Sequence, residues 1–227
     1  MQAILFDLDD TLYPEIDFVY SGFQAVAAWI EKNYSIKKCE VYNEFQNIFA
    51  EGKQGKVFNT WANERNINSN VINKLIRIYR NHTPYITPYP GISDLLEKIN
   101  SKYTIGLISD GYYKVQLRKF QALNLDEYFD VVTFSDKFGR KYWKPHPRPY
   151  LETLDKMELQ PYNAIYIADN PEKDFYSPRK LGMDTIRLKM KNGIYAHLEP
   201  EGTAYEPNYT VKSIKELESQ LFDMLTI

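Results

Sequence analysis

The stretch FDLDDTLYP, residues 6–14, sets three carboxylates, Asp7, Asp9 and Asp10, directly behind the apolar run AILF. Two further apolar runs also end in polar groups. TIGLISD reaches Ser109 and Asp110, followed by Gly111, and AIYIAD reaches Asp169, with Asp174 five residues on. Lys144 stands in YWKPHPRPY. Acids, a hydroxyl and an ammonium brought to one rim suit phosphoryl transfer. A carboxylate can attack phosphorus and form an aspartyl phosphate, provided something neutralises the dianionic phosphate that it approaches. Mg²⁺ held by clustered Asp oxygens does so. In this scheme Asp7 is both nucleophile and metal ligand. Asp9 donates a proton to the leaving alkoxide and later deprotonates the attacking water. Ser109 and the backbone amides around Asp110 and Gly111 bind phosphate oxygens, and Lys144 balances their charge. Asp169, with Asp174 behind it, completes the metal shell, while Asp10 is a structural bystander.

Plainer roles are open to each residue. Asp9 and Asp10 can cap a helix, Lys144 can be a solvated loop lysine, and Asp174 can pair with Arg179. All of these would have to coincide at the correct strand ends, which favours the chemical reading.

Positioning such a rim requires a parallel sheet, because ligands on open α/β sheets bind outside the carboxyl ends of the strands. The β-prone runs are residues 2–7, 104–110, 130–136, 164–169, 184–188 and 208–211, several of them apolar on both faces as doubly covered strands must be. Helix-period segments lie between them: Ile92, Leu95, Leu96 and Ile99; Val115, Phe120 and Leu123; Tyr150, Leu151, Leu154 and Met157. A last helix opens on a Ser213 to Glu216 capping box. The expected fold class is therefore α/β, a Rossmann-like parallel sheet of five to six strands.

Residues 14–86 are nearly free of strand signals and carry three apolar helical stripes, through Phe18, Gly22, Val26, Trp29 and Ile30, through Val41, Tyr42, Phe45, Ile48 and Phe49, and through Val71, Ile72, Leu75 and Tyr79. The expected organisation is a catalytic core of residues 1–13 plus 87–227, with a helical insertion of residues 14–86. LYPEID (12–17) and TPYITPYPG (83–91) read as the two connecting hinges, which would let the bundle flex as a lid. Within the insertion, Lys53 and Lys56 in the turn AEGKQGKVF can reach a substrate or stay solvated. Arg80 and His82 can face the cleft or anchor the hinge.

Composition narrows the partners. The 227 residues carry 28 Lys and Arg against 30 Asp and Glu, a net charge of −2, so no general basic field exists for nucleic acid or an anionic membrane. No run approaches a membrane span, the N-terminus does not read as a signal peptide, and the single Cys39 permits no internal disulfide. These features set a cytoplasmic expectation, with Cys39 a semi-buried thiol. His146 and His197 lack partners at metal-ligand spacing, which argues against a histidine metal site.

DLDDT (7–11), LISDG (107–111), Lys144 before Pro145, and IADNPEKD (167–174) resemble, in order and placement, the four motifs of the haloacid dehalogenase-like hydrolase superfamily. The insertion resembles that superfamily's C1 helical cap. This resemblance implies a Rossmann-like core, Mg²⁺ dependence and a phosphoaspartate on Asp7, with the backbone carbonyl of Asp9 as a further metal ligand and Asp174 as a direct or outer ligand. Asp10, Ala168 and Asn170 depart from commoner choices without removing a reacting group. Retention of Asp9 favours ester hydrolysis or mutase action over dehalogenation, since a departing halide needs no proton. The expected activity is hydrolysis of a small phosphomonoester, a sugar phosphate or a nucleotide 5'-monophosphate, by a monomer or homodimer. A phosphomutase is the alternative. A phospho-receiver-like or retired binding module fits less well, because the third strand run ends in TFSD without an acceptor site and the motif set is intact.

Overall fold

In chain order the elements are β1 (Ala3–Phe6), α1 (Glu15–Tyr34), α2 (Lys38–Ala50), α3 (Val57–Glu64), α4 (Ile72–Asn81), α5 (Ile92–Asn100), β2 (Thr104–Ser109), α6 (Tyr113–Leu123), β3 (Val131–Phe134), α7 (Arg148–Lys156), β4 (Ala164–Ala168), α8 (Tyr176–Leu181), β5 (Asp184–Leu188), β6 (Tyr209–Val211) and α9 (Ile214–Leu225). This computed structural model describes residues 2–225. They divide into two compact units, one comprising the chain up to Glu15 and from Ile86 onward, the other Ile16–Tyr85.

The first unit holds a six-stranded sheet in the order β3-β2-β1-β4-β5-β6, with every pairing parallel. All four residues of β1 are buried, and Ala3 stands opposite both Thr104 and Ala164. An all-apolar AILF suits a central strand covered on both faces. The strand order reverses direction at β1 and β4, so a crevice opens beyond their carboxyl ends. One face is filled by Leu5, Ile108, Tyr150, Leu154, Tyr166 and Phe175. Each such side chain contributes about 1.5–3 kcal/mol by leaving water. Leu151, placed on the α7 stripe by its spacing, is instead 43% exposed, and the buried face of α7 runs through Pro149, Tyr150, Thr153 and Leu154. At α9 the Glu216 N–H donates to Ser213 Oγ (3.2 Å), while the Glu216 carboxylate accepts from Lys212 N–H (2.8 Å) rather than from Ser213.

The second unit contains α2, α3, α4 and all but the first residue of α1. Phe18, Val19, Gly22, Phe23, Val26, Ala27 and Ile30 form the buried face of α1. Edge-on ring contacts link Phe45 to Phe58 (5.2 Å) and to Trp61 (5.6 Å), each such pair adding about 0.5–1.5 kcal/mol beyond burial. A side chain at Gly22 would lie 2.5 Å from the Tyr79 ring, so the missing Cβ permits this close approach. Cys39 is exposed near the start of α2, contrary to the semi-buried expectation, because the buried stripe of that helix runs through Val41, Phe45 and Ile48. Among the described residues no helix is long and apolar enough to cross a membrane.

Candidate active site

Asp7 follows β1 directly, and its N–H still donates to the Ile167 carbonyl of β4 at 2.8 Å, so the backbone ladder fixes where the side chain starts. Lys144 meets it there from the segment between β3 and α7. The fully buried Lys144 ammonium donates to Asp7 Oδ1 at 2.8 Å and to Tyr166 Oη at 3.0 Å, and lies 2.6 Å from Asp174 Oδ1. Asp174 thus pairs with Lys144, not with Arg179. Asp174 also accepts from the Asn170 N–H (3.0 Å), and its own N–H donates to the Asn170 carbonyl (3.1 Å), which closes the turn after β4. Asp169 opens that turn, its carbonyl held by Arg187 Nε at 2.9 Å.

Asp7, Asp169 and Asp174 present carboxylate oxygens within 4.8 Å of one another. Burial pushes the Asp7 carboxyl up to about 6; the Asp174 charge adds to the rise and the Lys144 ammonium opposes it. Burial, with Asp174 and Asp7 nearby, drives Asp169 well above the carboxylate range. Although burial disfavours its charge, Lys144 is held cationic, well above the usual lysine value, by Asp174 and Asp7. Three carboxyl groups share this buried space with the Lys144 ammonium, and the Lys173 ammonium acts on all three from farther off. Such a hard oxygen donor set fits a divalent cation.

Asp110 does not aim its carboxylate outward. Its Oδ2 accepts from the Lys144 N–H (2.9 Å) and its Oδ1 from the Ser135 hydroxyl, so it braces the lysine segment against the end of β3. Gly111 follows with φ +116, a conformation side chains rarely adopt, and a Cβ there would sit 3.2 Å from the Gln116 side chain.

At Asp9 the surroundings change. Its Oδ1 accepts from Lys119 Nζ (2.8 Å) and from the Tyr13 hydroxyl, and its Oδ2 from Gln116 Nε2 (2.7 Å). Burial works against its charge, yet Lys119, seconded by the hydrogen bonds from Tyr13 and Gln116, holds the Asp9 carboxyl below its ordinary value. Gln116 Nε2 also donates to Ser109 Oγ at 2.8 Å. Glu15 lies 3.8 Å from Lys119, and burial together with the Asp9 charge pushes its carboxyl up to about 8.

Asp10 is more than the bystander expected. It is buried at φ +50 and accepts from the Glu15 N–H (2.8 Å), the Ile194 N–H (2.6 Å) and the Tyr89 hydroxyl (3.3 Å). In the helical unit Lys53 pairs with Glu51 at 2.7 Å, and Lys56 and Arg80 are exposed. Arg80 lines a cavity of about 230 Å³ with Phe23, Phe58 and Tyr79. His82 is buried, with Nε2 2.8 Å from Ser21 Oγ and Nδ1 2.5 Å from the Tyr79 carbonyl.

The model of the family described as haloacid dehalogenase-like hydrolase matches residues 4–188. The chain belongs to this family. Similar to this hydrolase is a glyceraldehyde 3-phosphate phosphatase of Methanocaldococcus jannaschii, 30% identical over 224 residues and covering 96% of this chain and 95% of the relative. Pyrimidine 5'-nucleotidase YjjG of Escherichia coli is 25% identical over 229 residues, 96% of each chain. The magnesium-bound HAD-hydrolase YfnB of Bacillus subtilis shares the fold with a TM-score of 0.68 at 16% identity, over 97% of this hydrolase and 98% of that chain.

Several residues in contact with the candidate site escaped the sequence reading: Tyr13, Glu15, Gln116, Lys119 and Tyr166. A signal existed for two of them. Gln116 and Lys119 stand at i and i+3 in phase with Phe120 and Leu123, so two polar side chains occupy the core stripe of an amphipathic helix.

Proposed function

We propose that this hydrolase is a Mg²⁺-dependent phosphatase of small phosphomonoesters, working through an aspartyl phosphate on Asp7. One observation carries the reading: Asp7, hydrogen-bonded to Lys144 at 2.8 Å in a three-carboxylate cluster, lies two residues before a second carboxylate, Asp9, held in a separate set of donors. Nucleophilic attack and proton transfer need two carboxylates in two environments.

Asp7, Asp169 and Asp174, with the Asp9 carbonyl, would hold the metal ion, which when bound supplies positive charge to Asp7 and to the phosphate oxygens. Asp9 first takes up a proton from solvent; the Asp7 carboxylate then attacks phosphorus as the bond to the leaving oxygen breaks, and Asp9 passes its proton to that oxygen, releasing the alcohol. Water then attacks the aspartyl phosphate. Asp9 takes back a proton, the bond between Asp7 and phosphorus breaks, and phosphate leaves with the Asp7 carboxylate restored. Lys144, the Ser109 hydroxyl and the amides of Asp110 and Gly111 neutralise and orient the phosphate oxygens.

The names of the relatives point to triose phosphates and nucleotide 5'-monophosphates as first substrates to try. Lys53, Lys56 and Arg80 of the helical unit are proposed contributors to substrate choice, and buried His82 a structural anchor. A phosphate-release screen over triose and sugar phosphates, phosphoglycolate and nucleotides, with and without Mg²⁺, tests the reading, with Asp7→Asn as control. Release that needs Mg²⁺ and disappears in Asp7→Asn is expected. Equal release by Asp7→Asn, or interconversion of sugar phosphates with no phosphate freed, would overturn it.

A further inference from the structure

A carboxylate on a loop ordinarily swings about two side-chain torsions, yet both oxygens of Asp9 are pinned. Lys119 and Tyr13 hold Oδ1, and Gln116 holds Oδ2. Gln116 gives its amide nitrogen's second hydrogen to Ser109 Oγ, so one side chain sets the spacing between the end of β2 and the loop after β1. That spacing separates the group that moves the proton from a group that would hold a phosphate oxygen.

Lys119 is only 5% exposed along its side chain. Burying an ammonium costs several kcal/mol before pairing offsets it, and an aliphatic residue would fill the same stripe without that penalty. Gln116, equally buried, sits in the space left by the missing Cβ of Gly111. Phe120 and Leu123, in phase on the same helix, seat α6 in the core, so the two polar residues hang from a fixed support.

We infer that Gln116 and Lys119 are positioning residues, which hold the Asp9 carboxylate at a fixed distance from the leaving oxygen and in register with Ser109. This rests on the reading of Asp9 as proton donor. Displacement of a catalytic group by about 1 Å costs on the order of 100-fold in rate.

The test compares two substrates by kcat/KM, which covers the steps up to departure of the leaving group and excludes the later hydrolysis of the aspartyl phosphate. One is the best alkyl phosphomonoester from the screen above, whose alkoxide must be protonated. The other is p-nitrophenyl phosphate, whose phenolate leaves without a proton. Lys119→Met should lower kcat/KM for the alkyl ester roughly 30- to 100-fold and for the aryl ester by less than about 3-fold, in keeping with the size of general acid catalysis, and Gln116→Met, which also releases Ser109, should lower both but the alkyl ester at least about 10-fold more than the aryl ester. Turnover of the aryl ester shows that the variant is folded with Asp7 in place, and Gln116→Met carries the test should Lys119→Met fail to fold. Equal losses on both substrates, or no loss on either, would overturn the assignment. Asp9→Asn serves as reference. A split there without one in the α6 variants removes the positioning role alone, whereas no split in Asp9→Asn removes the proton role of Asp9 and the positioning role with it.

Discussion

Asp7 and Asp9 leave the same strand two residues apart and carry the same carboxyl group, but Asp7 is pushed up to about 6 while Asp9 is held below its ordinary value. Burial acts on both. What differs is the partners. Asp7 shares one ammonium, Lys144, with Asp174, and Asp169 adds a third acid. Around Asp9, an ammonium and two neutral donors occupy both oxygens. At Asp9 the donors outweigh burial, whereas at Asp7 the Lys144 and Lys173 ammonium groups do not outweigh burial and the Asp174 charge. In the proposed reaction, a short stretch of backbone thus separates the place for a cation from the place for a proton.

The largest test of this contrast is Lys144→Met, which strands Asp7 and Asp174 together. Turnover should fall by at least about 100-fold, as when a single charge-stabilising donor is removed from an active site. The melting temperature should fall with it, because breaking a buried ion pair costs about 3–5 kcal/mol. Near-normal kcat would detach Lys144 from the chemistry.

Paired Asp→Asn substitutions probe the contrast from both sides. Asp169→Asn replaces a carboxyl whose ionised form is opposed by burial and by the Asp174 and Asp7 charges, so at a pH high enough to ionise it the metal-free variant should melt above the metal-free wild type, by about 2–4 °C per kcal/mol of relieved repulsion. It should also lose the stabilisation that Mg²⁺ gives the wild type. Asp9→Asn should instead lower the metal-free melting temperature, since Lys119 loses its carboxylate. Shifts of the same sign would erase the distinction.

The smallest expected effect is on pH. Asp7 titrates near 6 and Glu15 near 8 in the folded protein, against about 4 for carboxyls in the unfolded chain. Folded protein therefore holds these protons more tightly. The stability they contribute is full below about pH 4 and is lost as the pH rises through about 6 for Asp7 and about 8 for Glu15. Metal-free melting temperatures should decline between pH 5 and 8, and Glu15→Gln should flatten the part above pH 6. An unchanged slope in Glu15→Gln would show that Glu15 does not titrate there.

The sheet was legible because its strands are apolar on both faces, and residues such as Asp7, Ser109 and Asp169 interrupt that pattern where the chain leaves the sheet. The acid cluster followed from those interruptions. The surroundings of Asp9 were not legible, since Lys119 and Gln116 resemble ordinary helix-surface residues until their phase with Phe120 and Leu123 is noticed. Helix α3 hid behind a glycine-punctuated turn and spans only 8 residues. Asp110 looked like a phosphate loop residue, but its carboxylate is taken by Ser135 and Lys144, contacts formed across 25 and 34 residues. Local spacing carries no trace of such pairings.

Asp10 has a consequence for how such a chain can change over time. Its carboxylate receives Glu15 and Tyr89, and the Tyr89 N–H also donates to the Leu12 carbonyl at 2.9 Å, so the points where the helical unit departs and returns are stitched together inside the sheet unit. Closing a longer excursion between ends already joined costs little extra, about 0.6 kcal/mol per doubling of its length. Residues 16–85, a compact unit of their own, are therefore expected to tolerate changes of length. Evolution, or an engineer, can lengthen, trim or trade them while the reacting rim is inherited unchanged.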